Sequence, residues 1–548
     1  MIDTPTLAHL TGLAARAFGE RTALRFKRDG TWHTLDYTGL AEAVDRLAAG
    51  LVRLGVRPGE HVGLLAETSA DWTLCDLAIA RAGAVSIPVY PTGSPEECAF
   101  VLEHARVRTV LADTPARADA AARATGVDTV VLFHPAATPS SGSSAAPAHR
   151  SLADLRAPLT AADRDRLDGL ARTVDPSATA TVIYTSGTTG RPKGCMITHA
   201  NLRASCRATA ALMDDLGEDE EIYLHLPLAH IMSRSIQLAA LAHGAALVYF
   251  GGDIRAVIGE LAEARPTVLP SAPRLFEKTY AAVRDLPPEQ VARAVGGRLR
   301  MAATGAAPIA PEILDFFDSC GIPVLDTYGM TESSALMAAN RLRERRHGTV
   351  GRPMPGVELR IADDGEILTR GPGVFAGYLD DPEATAETVV DGWLHTGDLG
   401  AFDEDGFLTV TGRKKDLIIT SAGKNIAPAA LENLLRRSPY VSQAVLTGDR
   451  RPHAAVLVTL DQDTVTAWAT ARGIAAPFPE LARHPAVHAL VQAELDGVNA
   501  RFAPATRARA LAVLDHEFTV EDGTLTPSQK VRRGAVETRY AAVIEALY

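Results

Sequence analysis

Cysteine is scarce in this chain. There are five in 548 residues, at Cys75, Cys98, Cys195, Cys206 and Cys320, with no CxxC and no paired spacing. That excludes a disulfide framework and a thiolate zinc site, and leads us to expect reduced thiols in a cytoplasmic protein. No apolar run is long enough to cross a bilayer. The opening stretch MIDTPTLAHL lacks both a basic and an apolar leader region, so no secretory leader is expected. Positive charge is also in deficit: the net charge is −11, which argues against a general nucleic-acid binder. A local basic site for an anionic ligand is untouched by that argument.

Hydrophobic residues make up 47% and charged residues 22%, as in ordinary globular proteins. A chain this long exceeds one core and calls for at least two domains. Up to about residue 130 it alternates helical and strand-like patterns. Leu40, Val44, Leu47 and Leu51 mark an amphipathic helix over Tyr37–Leu54, and Arg57-Pro58-Gly59 a turn. Strands follow at His61–Leu65 and Ala84–Val89, with a helix at Trp72–Ala82 between them. This predicts an α/β fold with a mainly parallel sheet flanked by helices. Pro135 to Pro158, rich in Ala, Pro and Ser, reads as an exposed loop. After Tyr328 short β segments separated by Gly, Pro and Asp predict a β subdomain. The texture changes again near Gly412. We therefore expect a large domain over 1–412 and a small α+β domain over 413–548.

The chemistry-bearing stretches are separate in sequence. The first is Tyr184–Gly194, YTSGTTGRPKG, behind the apolar strand Ala180–Ile183. Thr185, Ser186, Thr188 and Thr189 supply hydroxyls, Gly187 and Gly190 allow backbone N–H groups close to an anion, and Lys193 adds charge. This suits phosphates, yet no Gly-Lys-Ser/Thr follows, so it is not a Walker A loop. The second is Tyr328-Gly329-Met330-Thr331-Glu332-Ser333, in which Glu332 is a candidate Mg²⁺ ligand and Tyr328 a candidate base-stacking group. The third is Gly397-Asp398, where a carboxylate after a turn could accept two sugar hydroxyls. The fourth is Gly412-Arg413-Lys414-Lys415-Asp416 with Ser421–Asn425, and the last is Leu525–Arg533 around Lys530. Each taken alone has a bland reading as a turn or a solvated charge run.

In their order and spacing the five stretches resemble the adenylate-forming, AMP-binding superfamily: acyl- and aryl-CoA synthetases, adenylation domains of peptide synthetases, and luciferases. The resemblance runs from the helix near Tyr37 to Lys530. It implies ATP, Mg²⁺ and coenzyme A as the small molecules used. Thr185, Ser186, Gly187, Thr188, Thr189, Gly190 and Lys193 would wrap the β- and γ-phosphates, with Thr185 and Glu332 on Mg²⁺. Gly305, Ala306 and Ala307 would enclose adenine together with Asp326, Thr327 and Tyr328, in a segment continuing through Gly329 and Thr331. Asp398 and Arg413 would hold the ribose. Lys530 would serve adenylation, Lys415 would be the hinge of a mobile C-terminal domain, and Gly423 and Lys424 would belong to the loop that lines the coenzyme A channel after the domain turns.

The substrate acid is read from Leu226-Pro227-Leu228-Ala229-His230. Amino-acid adenylation domains carry an Asp there for the amino group, and this chain has none. The segment resembles long-chain fatty acid–CoA ligases, in which His230 would border the acyl site. Some of these place a gating tryptophan four residues on, where this chain has Arg234, which leaves chain length open and an anionic head group conceivable. The expected activity is conversion of a long-chain fatty acid to acyl-AMP and then acyl-CoA. The alternatives are a fatty acyl-AMP ligase that loads a carrier protein and a catalytically silent adenylate binder. The expected partners are small molecules and no nucleic acid. Peripheral contact with the inner face of a membrane is allowed by the partitioning of such acids, and the oligomeric state is left open.

Overall fold

The computed structural model describes residues 1–134, 148–185, 191–213, 216, 219–253, 256–526 and 529–548. Helix Tyr37–Leu54 has the expected bounds: the Asp36 side chain accepts from the Gly39 N–H at its start, and Gly55 ends it in a left-handed conformation. Leu40, Val44, Leu47 and Leu51 are all buried. The helix after His61–Leu65 covers Ala70–Arg81, capped by Ser69. The next strand, Val85–Val89, is buried throughout, as a strand covered on both faces must be.

Two large sheets organise the first four hundred residues. One has eight strands, in the order Gly377–Tyr378, Lys193–Thr198, Thr179–Thr185, Val85–Val89, His61–Leu65, Thr109–Ala112, Thr129–Leu132, Ala148–Ser151. The other has nine, with Val324–Met330, Met301–Thr304, Val268–Ser271, Glu221–Leu224 and Ala246–Tyr249 side by side at its centre. A single core joins them through helices Tyr37–Leu54, Ala70–Arg81 and Ile231–His243. The expected β subdomain is a five-stranded antiparallel sheet that includes Glu366–Arg370, Trp393–Phe402 and Leu408–Arg413.

The C-terminal part folds on a three-stranded sheet of Val441–Thr447, Ala454–Leu460 and Ala508–Val513. One face packs on helices Pro428–Leu435 and Pro485–Asn499. The other carries Leu514, Phe518, Leu525 and Val536, which flank Lys530 on both sides in the chain. Among the described residues no helix is long and apolar enough to cross a membrane.

One expectation needs correction. The stretch 135–158 is not loop throughout. Residues 135–147 lie outside the described residues, but Ala148–Ser151 adds an edge strand and Leu152–Leu155 forms a short helix. Leu152 and Leu155 are buried against the helix Tyr37–Leu54, where Gly50 leaves room for the Leu155 backbone. Two leucines three positions apart were too short a signal to stand out from an Ala/Pro/Ser background.

Candidate active site

A cavity of about 1260 Å³ opens where the two large sheets, the β subdomain and the C-terminal part meet. Strands Thr179–Thr185 and Lys193–Thr198 form an antiparallel pair with Thr185 directly opposite Lys193, so both ends of the glycine- and hydroxyl-rich loop are fixed side by side. Ser186, Gly187, Thr188, Thr189 and Gly190 lie outside the described residues. The Thr185 Oγ1 is 4.0 Å from the Cys195 Sγ, and Cys195 pairs across the sheet with Tyr378. The Tyr378 hydroxyl donates to Glu332 Oε1 at 2.8 Å. Lys193 Nζ stands 5.0 Å over the Tyr378 ring and 3.7 Å from Asp381. Burial, reinforced by the Glu332 carboxylate, pushes the Cys195 thiol well up, so it stays protonated between Thr185 and Glu332.

The opposite wall comes from strand Val324–Met330 and the turn Thr331–Ser333 after it. Tyr328, Gly329, Thr331 and Glu332 line the cavity. Gly329 is dictated by packing, since a Cβ there would lie 1.5 Å from the Ala335 carbonyl oxygen. Asp398 and Arg413 face each other on adjacent strands. Arg413 Nε donates to Asp398 Oδ1 at 2.8 Å, and the Tyr328 hydroxyl donates to Oδ2 at 2.8 Å. Attraction to Asp398 holds Arg413 above its ordinary range. Burial, helped by Asp398, pushes the Tyr328 hydroxyl well up. Tyr328 and Arg413 reach the cavity while Asp398 sits behind them as their anchor.

Gly305 adjoins this wall: a Cβ there would meet Thr327 Oγ1 at 2.6 Å. Ala306 lines the cavity with φ +65°, a left-handed conformation that costs a non-glycine residue about 1–3 kcal/mol. Thr327 also lines the cavity, whereas Gly305, Ala307 and Asp326 do not. The Asp326 carboxyl is buried beneath the wall, and burial raises it to about 8.

Lys530 enters the cavity from the far end of the chain. It sits on a tight turn in which its N–H donates to Thr526 Oγ1 at 3.0 Å and the Thr526 N–H donates to its carbonyl at 2.8 Å. The side chain is exposed to the cavity yet walled by protein. Loss of bulk water, with Arg413 adding to it, lowers its basicity, while Asp398 and Glu332 pull the other way. His230 faces the same space as the N-cap of helix Ile231–His243, its Nδ1 accepting from the Met232 N–H at 3.2 Å. Burial and the Lys530 charge depress it to about 3, so it is a neutral imidazole. Lys415 lines the cavity as well. Gly423 and Lys424 do not: they lie on an exposed turn closed on Thr420.

Beyond His230 the cavity continues as an apolar arm between the nine-stranded sheet and helix Ile231–His243. Met232, Ser235 and Ile236 form the helix side. On the sheet side Pro270 and Ala303 are in register, and Ile222, Val268 and Met301 form the next row down. At the strand starts beyond that row, Arg300 pairs with the buried Glu220 at 2.5 Å. Arg234 is not part of this arm. It is fully buried, with Nε and Nη2 on the Asp76 carboxylate at 3.0 and 2.6 Å and Nη1 on Thr181 Oγ1. Its charge is spent inside the core, so it neither gates the arm nor offers itself to an anionic head group.

Some contributors carry no sequence signal. Tyr378 follows Glu332 by 46 residues and reaches it only because a two-residue strand pairs with Lys193–Thr198. Glu366, buried in the β subdomain, accepts from Lys414 at 3.2 Å and from the Gly397 N–H at 2.8 Å, tying the start of the C-terminal part to the Asp398 turn.

With this geometry in view, the comparisons with known proteins agree. The family model of AMP-binding enzymes matches residues 13–379, and that of the AMP-binding enzyme C-terminal domain matches 415–548. The long-chain-fatty-acid–CoA ligase FadD15 of Mycobacterium bovis is 36% identical over 95% of this chain and 93% of its own length. Human long-chain-fatty-acid–CoA ligase 1 is 28% identical over 95% of this chain and 83% of its own. Among solved structures, the adenylation domain of a carboxylate reductase from Mycobacterium chelonae superposes with a TM-score of 0.79 at 24% identity, covering 99% of this chain and 91% of that one. The O-succinylbenzoate coenzyme A synthetase of Bacillus subtilis, solved with ATP and a magnesium ion, gives 0.72 at 22% identity, covering 96% and 98%. Over nearly its whole length, this chain belongs to the AMP-binding, adenylate-forming enzymes.

Proposed function

We propose that the protein activates a long-chain fatty acid with ATP and transfers the acyl group to coenzyme A. The observation that carries the reading is the meeting, in one cavity, of Lys530, Arg413, Tyr328 and Glu332 with an apolar arm that starts at His230. The barrier to the first step is electrostatic, because a carboxylate must approach the α-phosphorus of a polyphosphate. The Lys530 ammonium lies between the two anions and spreads the charge that builds up as the new P–O bond forms and the bond to pyrophosphate breaks. Lys193, opposite Thr185, holds the departing phosphates. Asp398, buried behind Tyr328 and Arg413, fixes both, and Arg413 so anchored faces the ribose hydroxyls. Mg²⁺ fits the donor set of one hydroxyl, Thr185 Oγ1, and one carboxylate, Glu332, which leaves its other positions to water and phosphate. Bound there, it would supply charge neutralisation of the phosphates. The C-terminal part, 413–548, then turns about Lys415. Lys530 leaves and the loop holding Gly423 and Lys424 comes in beside the coenzyme A thiol, which attacks the acyl carbonyl and releases AMP.

The test is pyrophosphate exchange into ATP with acids from acetate to oleate, and AMP release with coenzyme A or a carrier protein as acceptor. Exchange with long acids and coenzyme A-dependent turnover is expected. Turnover with the carrier alone replaces the acceptor in this reading, and no exchange with any acid overturns it. Lys530→Ala should abolish exchange and leave thioester formation from supplied acyl-AMP largely intact, and equal loss of both would remove Lys530 from its role.

A further inference from the structure

The C-terminal part touches the rest of the molecule through a few ion pairs, and one of them stands beside Lys530. Arg532 Nη2 donates to Glu97 Oε1 at 2.6 Å, linking residues 435 positions apart. Both side chains are about a quarter exposed. Glu97 sits in the first turn of helix Pro95–His104, where its other oxygen, Oε2, accepts from the Ser94 N–H and the Ser94 hydroxyl accepts from the Glu97 N–H, a capping box. The carboxylate is thus held rigidly by one oxygen and presented to Arg532 by the other. Glu97 and Lys530 line the same cavity. Arg532 follows the Lys530 turn directly, its N–H donating to the Thr524 carbonyl, and its Nε is buried without a partner among the described residues.

The pairs Arg413–Asp398 and Lys414–Glu366 lie at the boundary beside Lys415; a second pair away from that boundary behaves differently. Arg437 meets Glu312 at 2.9 Å, but Glu312 is 57% exposed. A pair open to solvent contributes little to holding two bodies together.

From this contrast we propose that Glu97 and Arg532 form a latch that holds the C-terminal part in the orientation presenting Lys530, and that breaking this pair is a required event of the turn to thioester formation. Glu97 and Arg532 are positioning residues: neither acts on the reacting atoms, and both act through the placement of Lys530. The inference rests on the proposed two-step reaction, but the latch itself can be read without substrate.

The variants are Glu97→Gln, Arg532→Gln and the reversed pair Glu97→Arg with Arg532→Glu. Glutamine is itself a capping-box residue, so Glu97→Gln removes the charge and keeps the helix start. Each glutamine variant should lower pyrophosphate exchange about tenfold, the effect of losing one charge-assisted hydrogen bond. Thioester formation from supplied acyl-AMP should be undiminished. The reversed pair should recover most of the exchange. Equal loss of both half-reactions, no loss of exchange, or no recovery by the reversed pair overturns the proposal.

A second readout needs no substrate. All five native cysteines are buried, so spin labels can be placed at Asp119→Cys and Glu521→Cys on the two parts. The latched protein should give one narrow distance distribution, each glutamine variant a broadened one, and the reversed pair a narrow one again. An unchanged distribution in the glutamine variants overturns the latch. Absence of exchange in the unaltered protein instead overturns the fatty-acid reading and leaves the distance measurement to judge the latch.

Discussion

The apolar arm makes a quantitative prediction about chain length. Met301, Val268 and Ile222 lie in one row across three parallel strands, and the nucleotide wall begins at Gly305. Four residue steps of strand separate Met301 from Gly305, about 13 Å, or about ten methylenes of an extended tail. Between them the in-register Ala303 and Pro270 leave the path open. Past the row the Arg300–Glu220 pair closes the strand starts with charge. Each methylene that enters the arm is worth about 0.8 kcal/mol, about fourfold in kcat/KM. A plot of log kcat/KM against chain length should therefore climb steadily and then level where the tail meets the row. Met301→Ala removes three heavy atoms from that row and should move the break outward by about two or three carbons, at a cost of about 2–5 kcal/mol in stability. Ala303→Leu fills the path one row earlier and should move the break inward. The assay is steady-state AMP release with saturated acids from eight to twenty carbons. A break that stays in place in both variants, or a uniform fall for every acid, would refute the row as the end of the arm.

Three further outcomes follow from buried charge. Pyrophosphate exchange should lose rate as pH rises through a value below the ordinary lysine range, because burial and Arg413 lower Lys530 and adenylation needs its ammonium. Thioester formation from supplied acyl-AMP should lack that limb, and a limb shared by both half-reactions would sink the assignment. Asp76→Asn leaves the Arg234 charge unpaired in the core and should cost about 3–5 kcal/mol, read as a lowered urea midpoint. Asp326 is raised to about 8 by burial, so the folded protein keeps it protonated while the unfolded chain ionises near pH 4. Its stabilising contribution is complete below the unfolded value and is lost as pH rises toward 8. Asp326→Asn should therefore flatten the decline in urea midpoint between pH 5 and pH 8, and an unchanged decline would assign it to other groups.

What could be read from sequence was what is local. Helix Tyr37–Leu54 announces itself by four leucine and valine positions and an Asp–Gly boundary. The strand before Thr185 and the glycine-rich loop after it are contiguous in the chain. Glu332, Arg413 and Lys530 stood out only together, as a family pattern, because each alone is a charged residue in a turn. What escaped notice depends on pairing between distant strands. Tyr378 touches Glu332 through a strand of two residues, too short to have a period. Glu97 looks like a helix cap, which it is, and nothing local indicates that its second oxygen reaches Arg532. Arg234 escaped for a different reason. An arginine in an apolar helix suggests a ligand, and the carboxylate that neutralises it lies 158 residues earlier, on another buried helix.

That arginine has a consequence for selectivity. One guanidinium joins three elements: the helix that walls the apolar arm, helix Ala70–Arg81 through Asp76, and, through Thr181, the strand Thr179–Thr185 that leads into the glycine- and hydroxyl-rich loop. The wall cannot tilt to admit a bulky or branched tail without dragging on the base of that loop. Accommodation is left to rotamers along the arm, chiefly those of Met232, Met213 and Met301. The enzyme should thus tolerate slender tails of many lengths and pay for width in the nucleotide half of its site, so that a branched acid weakens ATP binding as well as its own.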